Sequence, residues 1–165
     1  MSASRPGVPE SFQTDRLLAR VPLPGDGAAL NEATLETWPG LNRWMEWAQG
    51  EPPTVAESEA NAHTARQAFE AGTELRYHLY NRSDGRFVGV IGLHTIDWSV
   101  PVFEVGYWCR QSEQGKGYVA EALRGITRMC FEDLNAARVE VRCDPRNSAS
   151  RRVAERVGYS LEAVL

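Results

Sequence analysis

The chain has 165 residues, 42% of them hydrophobic and 24% charged, with a formal net charge of −4. That supplies one hydrophobic core in one domain, expected over residues 1–165, and excludes intrinsic disorder. No apolar run approaches the ~20 residues of a membrane span, and Met1-Ser2-Ala3-Ser4-Arg5-Pro6 lacks the apolar stretch of a secretory leader. A cytoplasmic protein is expected, with neither membrane nor nucleic acid as its main partner.

Cys109, Cys130 and Cys143 are odd in number and widely spaced, so buried thiols are expected, with no disulfide and no zinc site. His63, His78 and His94 fall in different elements, which argues against a metal cluster. Residues 26–74 hold nine Asp/Glu against two Lys/Arg, and residues 116–156 hold nine Lys/Arg against six Asp/Glu. Either the halves suit a cationic ligand on one side and a phosphorylated one on the other, or these are solvated helix faces.

In chain order, Thr14 to Val21 predicts a short strand, and Pro22 to Asp26 breaks it before a helix carrying Ala28, Ala29, Leu30, Ala33 and Leu35. Trp38-Pro39-Gly40 predicts a break, followed by the apolar cluster Leu41 to Trp47, which is either core or one wall of a pocket. Thr54 and Glu57 form a capping-box pattern that opens a helix to about Gly72. Leu75 to Asn81, Arg86 to Asp97 and Val102 to Cys109 predict three strands of an antiparallel meander.

Beyond the meander, Gly115 to Glu132 predicts a helix, with Val119, Ala122, Leu123, Ile126 and Cys130 at helical spacing. Arg138 to Cys143 alternates as a strand. Ser148 to Val157 predicts a second helix closed by Gly158, and Tyr159 to Leu165 is strand-like.

A strand ending at Arg110, the loop Gln111 to Gly117 and a helix start follow one another directly. Such a helix start offers unpaired N–H groups and ~0.5 of a positive charge, which together can hold a pyrophosphate. A lysine P-loop is excluded because Gly117, not Ser or Thr, follows Lys116, and the glycine spacing does not fit a dinucleotide fingerprint. Taken alone, the loop is equally compatible with an ordinary helix start.

Three groups of residues carry a family likeness: Glu104-Val105-Gly106-Tyr107-Trp108; Gln114-Gly115-Lys116-Gly117-Tyr118 with Glu121-Ala122; and Asn147-Ser148-Ala149-Ser150 with Gly158-Tyr159. Together they resemble the GCN5-related N-acetyltransferases, and within them the ribosomal-protein N-terminal (Ser/Ala) acetyltransferases. Thr14 to Arg20 and Trp44-Met45-Glu46-Trp47 are also similar to that subgroup. The resemblance implies an α/β fold, with a mixed and mainly antiparallel sheet flanked by helices and splayed where the strand before the loop leaves the strand after it.

It further implies acetyl-CoA as co-substrate, without a metal, bound by Gln114, Gly115, Lys116, Gly117, Tyr118 and Val119. Trp108, Cys109 and Arg110 would pair with the pantetheine arm, and Asn147 would hydrogen-bond it. Val119 departs from the small residue usual there. Many members carry a tyrosine seven residues after the asparagine as the acid that protonates the leaving thiolate; Ala154 stands at that position, and Ser150 is the substitute the subgroup resemblance implies.

Glu104, the only charge within Val102 to Cys109, is either a base or ammonium ligand, or a carboxylate satisfied by its neighbours. Cys109 has no histidine near it in sequence, so direct transfer without an acyl-enzyme is expected. Trp44, Glu46 and Trp47 are the candidate acceptor-side residues. An α-amine, with a pKa of ~7.7–8.0 against ~10.4 for lysine, demands less of a base, and with the resemblance it favours a protein N-terminus. A small amine such as a polyamine or aminoglycoside, or a non-catalytic acyl-CoA-binding regulatory role, are the alternatives. Family members continue past Glu162 into a final strand; on that ground a shortened chain, or a homodimer that fills the gap, is expected.

Overall fold

The computed structural model describes residues 7–164. Residues 1–6 and Leu165, where the leader reading and the two ends of the 1–165 domain fall, lie outside the described residues. Ser11–Gln13 (β1) and Leu17–Arg20 (β2) form an antiparallel hairpin, with Ser11 opposite Arg20 and Gln13 opposite Leu18. The sequence predicts a single strand from Thr14 to Val21. Thr14 to Arg16 turn instead, because the Thr14 hydroxyl accepts the Leu17 N–H at 3.1 Å and the distant Glu121 carboxylate takes the Thr14 hydroxyl and the Arg16 N–H.

Helix α1 runs over Gly27–Trp44, straight through the predicted break at Trp38-Pro39-Gly40. Pro39 has no N–H for the Leu35 carbonyl, but Leu35 lies on the solvent side of the helix, 46% exposed. Docking on the sheet overrides the local preference for a break. Helix α2, Val55–Ala71, carries the predicted capping box between Thr54 and Glu57 and closes at Gly72 with φ 74°.

Leu75–Asn81 (β3), Phe87–Asp97 (β4) and Val102–Cys109 (β5) form the predicted meander. A short 3-10 turn, Gln111–Glu113, leads towards α3, Tyr118–Glu132; Arg138–Val141 (β6) and α4, Ser148–Val157, follow. Gly158 closes α4 at φ 103°. The strands lie in the order β1-β2-β3-β4-β5-β6, antiparallel except for the parallel pair β5–β6. This is the expected mixed, mainly antiparallel α/β sheet with helices on both faces.

Alternation along the strands divides the core. Leu75, Tyr77, Leu79, Ile91, Phe103 and Val105 meet Leu123, Ile126 and Met129 of α3 on one face. Phe87 and Val90 meet Leu30 and Ala33 of α1 on the other. α2 docks beside α1, where the buried Asn31 amide donates to Ser58 Oγ at 3.0 Å.

Two further expectations are corrected. Residues 159–164 form no strand: the Tyr159 hydroxyl is tied to Thr127 on α3 at 2.7 Å, and Leu161 and Val164 stay exposed. Of the three free thiols, Cys130 is buried and Cys109 half-buried, but Cys143 is exposed, because it lies beyond the last paired residue of β6. Among the described residues no helix is long and apolar enough to cross a membrane, and no cluster of His, Cys, Asp or Glu is arranged to hold a metal.

Candidate active site

Parallel pairing of β5 with β6 covers only Val102 to Val105 opposite Arg138 to Val141. Gly106 to Cys109 then continue along β4, where Cys109 faces Gly89, while β6 ends at Val141. The sheet therefore opens into a wedge between β5 and β6. Gly89 makes this course possible, since a Cβ there would lie 2.3 Å from the Trp108 carbonyl oxygen.

Past β5 the chain is pinned to α1. The Arg110 side chain is buried, 4% exposed, with Nη2 2.7 Å from Glu32 and Nε 3.2 Å from Glu36, which leaves only its main chain for the donor pairing expected of it. Thr37 Oγ1 accepts the Gln111 N–H at 3.0 Å, and Glu36 takes the Ser112 N–H at 2.9 Å. Glu113, also buried, bridges Arg86 at 2.6 Å and Lys116 at 2.9 Å. The Lys116 charge is thus matched within the protein, which raises its pKa.

Gly115 and Gly117 adopt φ values of 79° and 82°, a left-handed conformation that costs other residues about 1–2 kcal/mol. Gly117 is the N-cap of α3 and contributes no side-chain cap. Among the described residues, no acceptor meets the N–H groups from Gly115 to Ala120. Space beside Gly115 is open to 4 Å, and Val119 turns its side chain into the core. A run of unpaired amides at the positive end of a 15-residue helix fits the pyrophosphate of CoA.

Arg16 braces this loop from the turn before β2. Its guanidinium donates to the Lys116 carbonyl and to Glu121, both at 2.9 Å, and lies over the Tyr118 ring. Gln114 Nε2 reaches back to the Cys109 carbonyl at 3.1 Å, joining the loop to the open end of β5.

Across the wedge, Asn147 caps α4 by accepting the Ser150 N–H at 3.2 Å. The Ser150 hydroxyl donates to Tyr107 Oη on β5 at 3.2 Å, and Tyr107 Oη donates to the Ser150 carbonyl at 2.9 Å. These bonds hold the first turn of α4 against the unpaired stretch of β5. Tyr107 was not singled out from sequence as a site residue; its position in the strand just before the wedge was the available signal.

Glu104 stands earlier on β5, in the paired region opposite Glu140, and its carboxylate lies 3.3 Å from His94 Nε2. Burial, with the Glu113 carboxylate nearby, pushes the Cys109 thiol up to about 12, so it carries no thiolate at neutral pH. Trp44 ends α1 half-buried beneath Arg43, while Glu46 and Trp47 are exposed, Trp47 to 58%. No hydrogen bond or ion pair joins these three to Ser150 or Glu104 among the described residues.

Residues 16–160 match the family model described as an acetyltransferase (GNAT) domain. The Bacillus subtilis protein YdaF, provisionally named a ribosomal N-acetyltransferase, is 28% identical over 151 positions, covering 88% of this chain and 78% of that one. The ribosomal-protein-serine acetyltransferase of Escherichia coli is 26% identical over 132 positions, covering 79% of this chain and 70% of that one. Among solved structures, Mycobacterium smegmatis RimJ in complex with CoA-disulfide is similar with a TM-score of 0.89 at 24% identity, over 98% of this chain and 80% of that one. The family model spans strands β2 to β6, the amide cradle and the wedge alike, and the chain therefore belongs to the GNAT family and is an acetyl-CoA-dependent N-acetyltransferase.

Proposed function

We propose that this protein acts as one domain in the cytoplasm and acetylates the N-terminal α-amine of a protein, by direct transfer without an acyl-enzyme. The observation that carries this reading is the placement of Ser150: it is held against the end of β5 that has no β6 partner, and that end is tied through Gln114 to the amide cradle. Acetyl-CoA supplies the activated acetyl thioester. The N–H groups from Gly115 to Ala120 bind its pyrophosphate, with the Tyr118 and Val119 side chains turned inward.

Main-chain groups of Trp108, Cys109 and Arg110 line the arm of the donor, and Asn147, whose Oδ1 is used in the cap, has its Nδ2 to donate. Ser150 donates a proton to the departing sulfur. Glu104, whose carboxylate lies 3.3 Å from His94 Nε2, takes the proton of the acceptor ammonium or holds it. Trp44, Glu46 and Trp47 form the acceptor side. The choice of an α-amine rests on its lower pKa, ~7.7–8.0, and on the name of the Escherichia coli relative.

Initial rates with three acceptors test the reading: a peptide with a free α-amine, the same peptide N-blocked but carrying lysine, and spermidine. The free α-amine is expected to give the highest kcat/KM. A higher value with spermidine would overturn the assignment.

A further inference from the structure

Two hydroxyl groups meet where α4 crosses β5, and only one has a role in the scheme above. Among the described residues, Tyr107 Oη makes two hydrogen bonds and both are with Ser150, accepting from Oγ at 3.2 Å and donating to the main-chain carbonyl at 2.9 Å. A hydroxyl in the first turn of a helix ordinarily bonds to local main chain or to water. Here the Ser150 hydroxyl points to a phenol on another element, a contact that spans 43 positions of sequence. Tyr107 belongs to the stretch of β5 without a β6 partner, so the pair lies at the mouth of the wedge.

We infer that the Tyr107 hydroxyl is the proton reserve behind Ser150, a positioning and relay residue for the leaving sulfur. The inference rests on the assignment of Ser150 as proton donor. An alkyl hydroxyl is a far weaker acid than a thiol, so serine alone is a poor source of a proton for a thiolate. A phenol, near ~10, lies much closer to a thiol, near ~8.5. Proton transfer from Ser150 becomes feasible when its oxygen is resupplied as it donates.

The step balances without a further reagent. As the amine nitrogen bonds to the acetyl carbon, the carbon–sulfur bond breaks and sulfur leaves with the electron pair. Sulfur takes the Ser150 Oγ proton, and Ser150 Oγ takes the Tyr107 Oη proton. The phenolate recovers a proton from water, which has received one from the acceptor nitrogen. Within the protein this requires two rotations: the Ser150 O–H turns from Tyr107 Oη to the sulfur, and the Tyr107 O–H swings from the Ser150 carbonyl to Ser150 Oγ, two acceptors already within reach of it.

Burial raises the Tyr107 pKa and keeps the reserve loaded at neutral pH, while the bond with Ser150 pulls it partly back; Cys143 past β6 and Tyr159 after α4 are the titratable groups that face it, and both raise it.

The test compares wild type, Tyr107→Phe, Ser150→Ala and the double variant, each full length, with the fastest of the three acceptors. Thermal melting and calorimetry with acetyl-CoA establish that each variant folds and binds. Tyr107→Phe is expected to keep acetyl-CoA affinity and acceptor KM within about twofold while kcat falls about 10²-fold, in the range of general acid catalysis. The double variant is expected to be no slower than Ser150→Ala. The kcat–pH profile is expected to show an alkaline limb in wild type and to lose it in Tyr107→Phe.

Wild-type kcat in Tyr107→Phe beside a slow Ser150→Ala overturns the relay alone, and so do multiplicative losses in the double variant. Wild-type kcat in Ser150→Ala overturns the assignment of Ser150 itself.

Discussion

Gly117 shows most directly how single residues carry this site. Its φ of 82° and its place as the N-cap of α3 leave the first-turn amides open to a ligand. In Gly117→Asp, the left-handed backbone costs about 1–2 kcal/mol, and the introduced carboxylate competes for the same positive pole, worth about 0.3–1 kcal/mol. At ~1.4 kcal/mol per tenfold, acetyl-CoA affinity measured by calorimetry should fall about 10–100-fold in a variant that still folds. The glycines were legible in sequence because few other residues take that conformation. The buried Glu113 between Lys116 and Arg86 was not, since nothing local marks a carboxylate as a bridge between cations three and 27 positions away. That bridge also gives the lysine a structural partner, which leaves the main-chain amides as the groups of the proposed cradle.

For whole elements, local chemistry predicts well where it decides the structure. The capping box of α2, the meander β3–β5 and the apolar stripe of α3 form where the sequence places them. Thr54→Ala should remove one cap, at about 1 kcal/mol, and lower Tm by roughly 2–4 °C without changing acetyl-CoA affinity. A Tm equal to wild type would show the cap to be redundant. Long-range contacts explain the failures. The β1–β2 turn depends on Glu121, 107 positions from Thr14, and α1 continues past Pro39 while Glu32, Glu36 and Thr37 hold Arg110 and Gln111. Neither set of partners is visible in a local window.

Across the molecule, the uneven charge is largely spent on structure. On the acidic side, Asp26 pairs with Arg20, Glu32 and Glu36 with Arg110, and Glu59 with the Gly25 and Gly27 amides. On the basic side, Arg138, Arg142, Arg146 and Arg151 pair with Glu162, Glu140, Asp144 and Glu155. The charge count therefore reflects internal pairing more than ligand attraction.

One such network sets an acid limit on stability. His78 is fully buried, with Nδ1 3.0 Å from Asp26 and Nε2 unpartnered among the described residues. Burial lowers its pKa; Asp26 is also lowered, by its bonds to His78, Arg20 and the Leu23 N–H, which outweigh its own desolvation. As pH falls below about 6.5 the unfolded chain takes up a proton at His78 that the folded one does not. The Asp26 contribution is lost in the same direction, but only below about pH 4. Tm should decline from pH 6.5 towards 5, and His78→Phe should flatten that decline; an unchanged slope in the variant would exclude His78 as its source.

Transfer of acetyl from CoA to a protein α-amine can be read out on a single peptide. A peptide bearing both a free N-terminal amine and an internal lysine is incubated with the protein and acetyl-CoA, and tandem mass spectrometry locates the modification. A single acetyl group on the N-terminal nitrogen is the predicted result. Acetyl on the lysine alone, or an unmodified peptide under conditions where spermidine is acetylated, would contradict it.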